Sequence, residues 1–133
     1  MASWAPCAGF LNRWSLATAR SCFVTAQDNL AVGNVNLVRF SDDGREAALG
    51  YWLVPAARGR GLATAAARLL CAWGFAELRL ARIELAVLPG NASSQRVATR
   101  LGAVSAGIRR DSHHAGGRSW DMLIYSLHET SLR

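Results

Sequence analysis

Two glycines bracket an arginine in the segment Arg58-Gly59-Arg60-Gly61-Leu62-Ala63-Thr64, between an apolar run that ends at Pro55 and an alanine-rich stretch of helical period. Glycine allows positive φ and close approach of backbone to a ligand, and the first N–H groups of a helix have no partner inside it. The segment therefore presents a row of donors with partial positive charge, and Arg58 and Arg60 add full charges beside it. That is an anion cradle, with phosphate as its natural guest. A Walker loop is excluded, because it requires a lysine and the chain has none. A dinucleotide fingerprint would need a third small residue where Thr64 stands and an acid about 20 positions later. Glu84 falls there, but near the start of the next apolar run rather than at its end.

Asn91 and Ser94 form an N-x-x-S after Pro89-Gly90. Taken alone, they read as a helix cap and a first-turn residue. Cys7, Cys22 and Cys71 are odd in number and lack C-x-x-C spacing, and no histidines stand at metal-ligand intervals, so a reduced interior with no metal is expected. His113 and His114, in a loop with two glycines, read as solvated. Trp52, Trp73 and Trp120 read as core fillers, Trp52 with the alternative of lining a ligand slot.

The elements that must position these residues follow from periodicity. Ser21–Ala26 is a short strand-like run, Leu30–Phe40 alternates in polarity, and Ala47–Val54 follows the turn at Asp42-Asp43-Gly44; the three predict an antiparallel meander. From Leu62, apolar residues at 62, 66, 69, 73 and 76 predict an amphipathic helix of about 18 residues. Arg82–Leu88 is the next strand, parallel to Ala47–Val54 through a right-handed crossover. A helix over Ala92–Leu101 is capped by Asn91 and Gly102. Ala103–Arg109 is a sixth strand, Arg110–Arg118 a polar loop, and Ser119–Leu127 the last strand.

The 133 residues, 51% hydrophobic, predict a single domain over 1–133 with one core. Fifteen basic against nine acidic residues leave a formal charge of +6, which favours anionic partners such as phosphorylated cofactors, nucleic acid or ribosome surfaces. No uncharged apolar stretch reaches the ~18 residues of a membrane span, so a soluble, cytoplasmic protein without membrane contact is expected. The first 27 residues carry Arg13 and Arg20 and no acid, faintly like a presequence, but Arg13 interrupts any secretory apolar segment.

Taken in order, Gly50-Tyr51-Trp52-Leu53-Val54-Pro55, the Arg58–Ala63 turn, Pro89-Gly90-Asn91-Ala92-Ser93-Ser94, the helix closing in Leu101-Gly102 and the final Trp120–Leu127 strand resemble a GNAT-superfamily acyl-CoA-dependent N-acetyltransferase. The chain is most similar to the Rim type, whose best-known members acetylate the N-terminal amine of ribosomal proteins. The likeness covers roughly residues 21 to 127. It implies an α/β (α+β) fold with a mostly antiparallel sheet, whose central parallel strand pair splays to admit acetyl-CoA. It also implies that the backbone of Arg58, Gly59, Arg60, Gly61, Leu62, Ala63 and Thr64 holds the coenzyme A diphosphate, while Leu53 and Val54 pair with the pantetheine arm. Val54 N–H is expected to polarise the thioester carbonyl. By the same resemblance Asn91 bonds the pantetheine and Ser94 lies near the sulfur. Many relatives place a tyrosine seven residues after this asparagine to protonate the leaving thiolate; Ala98 stands there, which leaves Ser94, or water held by it, as the proton donor.

Many relatives also carry a glutamate where this chain has Ala48, so Glu46, of the same strand parity, and Glu84, on the adjacent strand, are the carboxylate candidates for general base. A weak base favours a peptide N-terminus, with a reference pKa near 8, over a lysine side chain at about 10.4. The expected activity is direct acetyl transfer from acetyl-CoA to a primary amine, with small-molecule amine acetylation or a non-catalytic basic binding module as alternatives. Compared with relatives, little chain precedes the first strand. A reduced helix over Phe10–Ala19, a homodimer partner completing the acceptor pocket, or a start downstream of the true one would each account for it.

Overall fold

The computed structural model describes residues 19–25 and 30–133. The proposed helix over Phe10–Ala19, the Gln27–Asn29 turn and Cys7 lie outside that range, apart from Ala19 at the helix's end, which starts the first strand. Within the described residues six strands form one sheet: β1 (Ala19–Thr25), β2 (Ala31–Val38), β3 (Glu46–Leu53), β4 (Arg82–Val87), β5 (Val104–Ala115) and β6 (Arg118–Leu127), in the order β1-β2-β3-β4-β6-β5. Among the described residues two α-helices, α1 (Leu62–Glu77) and α2 (Ala92–Leu101), follow β3 and β4. The β1–β2–β3 meander is antiparallel and β3 pairs with β4 in parallel, as their patterns predict.

The parallel pairing is short. Its register runs only over Glu46↔Arg82, Ala47↔Ile83 and Ala48↔Glu84, after which β3 and β4 have no further partners in each other. Beyond that point β3 stays with β2 as far as Gly33↔Leu53, while β4 stays with β6 as far as Val87↔Leu123. Each strand follows its own antiparallel neighbour, and a gap opens between them at their C-terminal ends.

α1 covers this sheet with a face different from the predicted stripe. Leu62, Thr64, Ala66, Ala67, Leu70, Cys71, Gly74 and Phe75 are its buried residues, whereas Leu69 and Trp73 are half-buried and Ala76 is exposed. The seam is rich in small residues, which hydropathy underweights but which allow close approach. A methyl added at Gly74 would lie 3.0 Å from Leu37 Cδ1 and 3.1 Å from Leu80 Cδ1. The helix meets Leu37, Ile83 and Leu85 across this contact in one continuous core.

The predicted polar loop Arg110–Arg118 is instead strand. β5 runs on to Ala115 and turns through Gly116 and Gly117, at φ 57° and 74°, directly into β6. Positive φ at both turn positions is the type I′ hairpin geometry that matches strand twist. Register shifts between Ser105 and Gly107 and between Arg109 and His113 mark bulges that absorb the irregular sequence. β5 is an edge strand among the described residues and almost wholly exposed, so apolar alternation could not announce it.

α2 begins and ends as its caps require. Asn91 Oδ1 accepts from Ser94 N–H at 3.1 Å, and Gly102, at φ 92°, closes the helix with its N–H on Thr99 O at 3.0 Å. At Gly102 a Cβ would also collide with the carbonyl of Ser131. Gly102→Ala is therefore expected to destabilise the domain by about 2–4 kcal/mol, from left-handed strain and overpacking together, read as a lower denaturant midpoint at unchanged slope.

Candidate active site

The gap between β3 and β4 opens onto a cleft of about 600 Å³, bounded by Tyr51, Trp52 and Leu53 of β3, the turn from Arg58, the start of α1, and α2 from Asn91 to Arg100. A separate, more open concavity of about 680 Å³ lies around Arg45, Arg79 and His128 and shares none of these residues. Only the first contains the glycine turn.

At that turn the N–H groups of Gly59, Arg60, Gly61, Leu62, Ala63 and Thr64 have no hydrogen-bond partner among the described residues; the first bond into the helix is Ala65 N–H to Gly61 O at 3.1 Å. Gly59 and Gly61 take φ of 78° and 73°, which glycine adopts without strain, and both line the cleft. Neither an acidic residue in the first turn of α1 nor a side-chain cap competes for the donors. Thr64 reinforces the site: it is 6% exposed, lines the cleft, and its hydroxyl has no partner among the described residues. A diphosphate satisfies such a donor row and its field.

The arginines divide. Arg58 N–H is taken by Pro55 O at 3.2 Å, so the cradle begins at Gly59 rather than Arg58, while Arg58 Nε donates to Leu53 O at 3.2 Å and holds the turn against β3. Arg60 is exposed and its side chain does not line the cleft. Arg96 and Arg100, which the sequence reading passed over, do line it together with Ser93. Arg96 is three residues beyond Ser93 and Arg100 four beyond Arg96, which puts all three on one face of α2, a periodicity visible in the sequence.

Val54 is corrected. Its N–H donates to Val32 O at 2.8 Å and is part of the pairing with β2, so it is not available to a carbonyl in the cleft. Backbone direction alternates along a strand, so Tyr51 and Leu53, of opposite parity, turn their N–H and C=O groups toward the β4 side. Of the two readings of Trp52 the core filler is overturned: at 57% exposed it fills no core, and it lines the cleft as the alternative had it. Trp120 is half-buried, with the Arg118 guanidinium 5.3 Å from its ring centroid.

Both carboxylate candidates sit elsewhere. Arg82 bridges Glu46 at 2.8 Å and Glu84 at 3.1 Å, and Arg109 grips Glu84 through two bonds of 2.7 and 3.0 Å. Neither glutamate lines the cleft. The Arg109 hydrogen bonds, with the charges of Arg109 and Arg82, hold the Glu84 carboxyl below its ordinary range despite partial burial. A carboxylate held as Glu84 is makes a poor proton acceptor, and the position of both Glu46 and Glu84 outside the cleft speaks against either as general base.

Ser94 does reach the cleft, at the first turn of α2, and its hydroxyl accepts from Tyr51 Oη at 2.8 Å. Tyr51 was missed in the sequence because its partner lies 43 residues away. Ala98 is fully buried, so its position offers the cleft nothing. Cys71 is buried inside α1, where desolvation pushes its thiol up to about 12, which leaves it unreactive. Among the described residues no group of three or more His, Cys, Asp or Glu could hold a metal ion, and no helix is long and apolar enough to cross a membrane.

Residues 2–104 match the family model described as an acetyltransferase (GNAT) domain. The Bacillus subtilis (strain 168) protein YdaF, provisionally named a ribosomal N-acetyltransferase, is 34% identical over 100 residues, which make up 75% of this chain and 55% of YdaF. Mycobacterium smegmatis RimJ in complex with CoA-disulfide shares the fold at TM-score 0.80 and 25% identity, over 96% of this chain and 62% of that one. The microcin C7 self-immunity acetyltransferase MccE, in complex with acetyl-CoA and AMP, does so at 0.76 and 25%, over 84% and 62%. The chain spans about half the length of the curated relatives it matches.

The Glu84 ion pairs have a pH signature. A carboxyl whose pKa is depressed by folding contributes stability above its unfolded value near 4.3 and loses it as pH falls through the folded value. Stability is expected to fall on acidification below about pH 5, and Arg109→Gln to flatten that slope and cost on the order of 1 kcal/mol at pH 7, measured by urea unfolding across pH.

Proposed function

The chain belongs to the GNAT acetyltransferase family, and on that premise we propose that it transfers an acetyl group from acetyl-CoA to a primary amine, in the first place a peptide N-terminal α-amine. The observation that carries this reading is the unpaired donor row from Gly59 to Thr64, at the entrance of a cleft that leads to Ser94. The N–H groups and the Thr64 hydroxyl would hold the diphosphate of coenzyme A, with Arg96 and Arg100 adding charge on the opposite wall. Leu53 N–H, facing the β4 side, takes the place of Val54 as the donor that polarises the thioester carbonyl. Asn91 uses its Oδ1 on Ser94 N–H, and its amide N–H₂ remains free among the described residues to bond a pantetheine carbonyl.

These groups position and polarise rather than attack. The cleft is lined by no cysteine and no carboxylate, so direct attack by the amine fits better than a covalent enzyme intermediate. Without a strong base the acceptor must arrive neutral. About a tenth of an α-amine with pKa near 8 is neutral at pH 7, against well under a hundredth of a lysine side chain. N-terminal amines are therefore the favoured acceptors, and a relative named as a ribosomal N-acetyltransferase is in keeping with a protein acceptor.

Calorimetry and turnover assays test this. Acetyl-CoA is expected to bind the folded protein, and Thr64→Val to raise its dissociation constant several-fold with stability unchanged or slightly higher, since a buried hydroxyl without a protein partner is removed. Peptides with a free N-terminus should be acetylated faster than Nα-blocked peptides bearing lysine, with kcat/KM rising toward about pH 8 as the amine deprotonates. Ser94→Ala is expected to lower kcat about 100-fold. Preference for free amino acids or aminoglycosides would move the reading to small-molecule acetylation; binding without turnover on any amine would leave a coenzyme A-binding module.

A further inference from the structure

We propose that Tyr51 is a positioning residue for proton delivery: its phenol aims the Ser94 hydroxyl into the cleft and replaces the proton that Ser94 gives to the departing thiolate. The inference rests on the acetyl-transfer reading and adds a residue from β3 to the delivery of the proton, otherwise assigned to Ser94 alone.

The serine is held at two points. Its N–H is on Asn91 Oδ1 at 3.1 Å, and its Oγ accepts from Tyr51 Oη at 2.8 Å. A hydroxyl has one proton, and with Tyr51 donating to it the Ser94 proton is free for another acceptor. No protein acceptor for it exists among the described residues, and Ser94 faces the cleft. The half-buried ring of Tyr51 also lines the cleft, so the pair spans from the core to the place where the thioester would end.

Proton affinity explains why a lone serine is insufficient. An alcohol is a far weaker acid than a thiol near 8.5, whereas a phenol, even one raised by burial above its ordinary value near 10, lies much closer to the thiol. As the C–S bond of the tetrahedral intermediate breaks, its electron pair goes to sulfur. Sulfur takes the proton of Ser94 Oγ, and Oγ takes that of Tyr51 Oη. The phenolate then recovers the proton shed by the amine nitrogen as it becomes an amide, directly or through water. One proton leaves the acceptor and one reaches the thiol, so the pair ends as it began. Burial keeps the resting phenol protonated, raising it above its ordinary value while the bond to Ser94 pulls the other way.

The test is a proton inventory on single-turnover acetyl transfer in mixtures of H₂O and D₂O, for wild type and Tyr51→Phe. The phenylalanine ring preserves packing, and acetyl-CoA affinity is expected to stay within about twofold by calorimetry. The rate should fall about 10- to 100-fold, and the inventory should change from curved, with two protons in flight, to linear. Adding Tyr51→Phe to Ser94→Ala should cost little more than Ser94→Ala alone, because the two act as a unit. An unchanged rate and inventory in Tyr51→Phe, a loss lying wholly in acetyl-CoA affinity, or additive effects in the double variant would overturn the relay while leaving acetyl transfer standing. A wild-type protein that binds acetyl-CoA and acetylates no amine would remove both.

Discussion

The divergence of β3 and β4 after the Ala48↔Glu84 pair is the constraint from which the rest of the molecule takes its shape. Two parallel strands would normally zip along their whole length, and here each is drawn away by an antiparallel neighbour with a longer register. The base of the fork is tied by charge: Arg82 reaches Glu46 on β3, Glu84 on β4 and Ser126 on β6. Carboxylates that looked available for catalysis thus serve to fix where the fork begins. Its open arms leave backbone polar groups of Tyr51 and Leu53 turned toward a cleft instead of a strand.

The helices complete what the fork starts. α1 enters from Gly61 with no cap and no acid, which is unfavourable for an isolated helix but leaves its N-terminal field for a ligand. α2 enters capped by Asn91, and the same cap places Ser94. One helix start is left incomplete to bind charge, and the other is completed to hold a hydroxyl in place. Both depend on close packing of α1 on the sheet through Ala66, Ala67, Cys71 and Gly74.

Much of this was legible locally. Turn glycines, the Asn91 and Gly102 caps and the meander are encoded within a few residues of where they act, so their chemistry could be read from the chain. What escaped was non-local or polar. The β5 extension carries exposed polar residues on an edge, where no apolar alternation is required. The error at Val54 is one of parity, since a one-residue shift reverses the direction of an N–H, and only the pairing with Val32 decides it. The Tyr51–Ser94 bond joins β3 to α2 through the crossover, and Glu84 has the right chemistry with two guanidinium groups that no spacing rule predicts.

The long β5–β6 hairpin has a consequence for self-association. A twelve-residue strand with no further partner among the described residues is a template on which a foreign chain can assemble, and Val104 and Ile108, at 61% and 58% exposed, would reward such growth. Both bulges break the even spacing a templated strand would need, and Arg109 and Arg110 would have to be stripped of water along the way. Irregularity and charge together make this border of the sheet resistant to fibrillar propagation, which a smoother, more regular strand of the same length would invite.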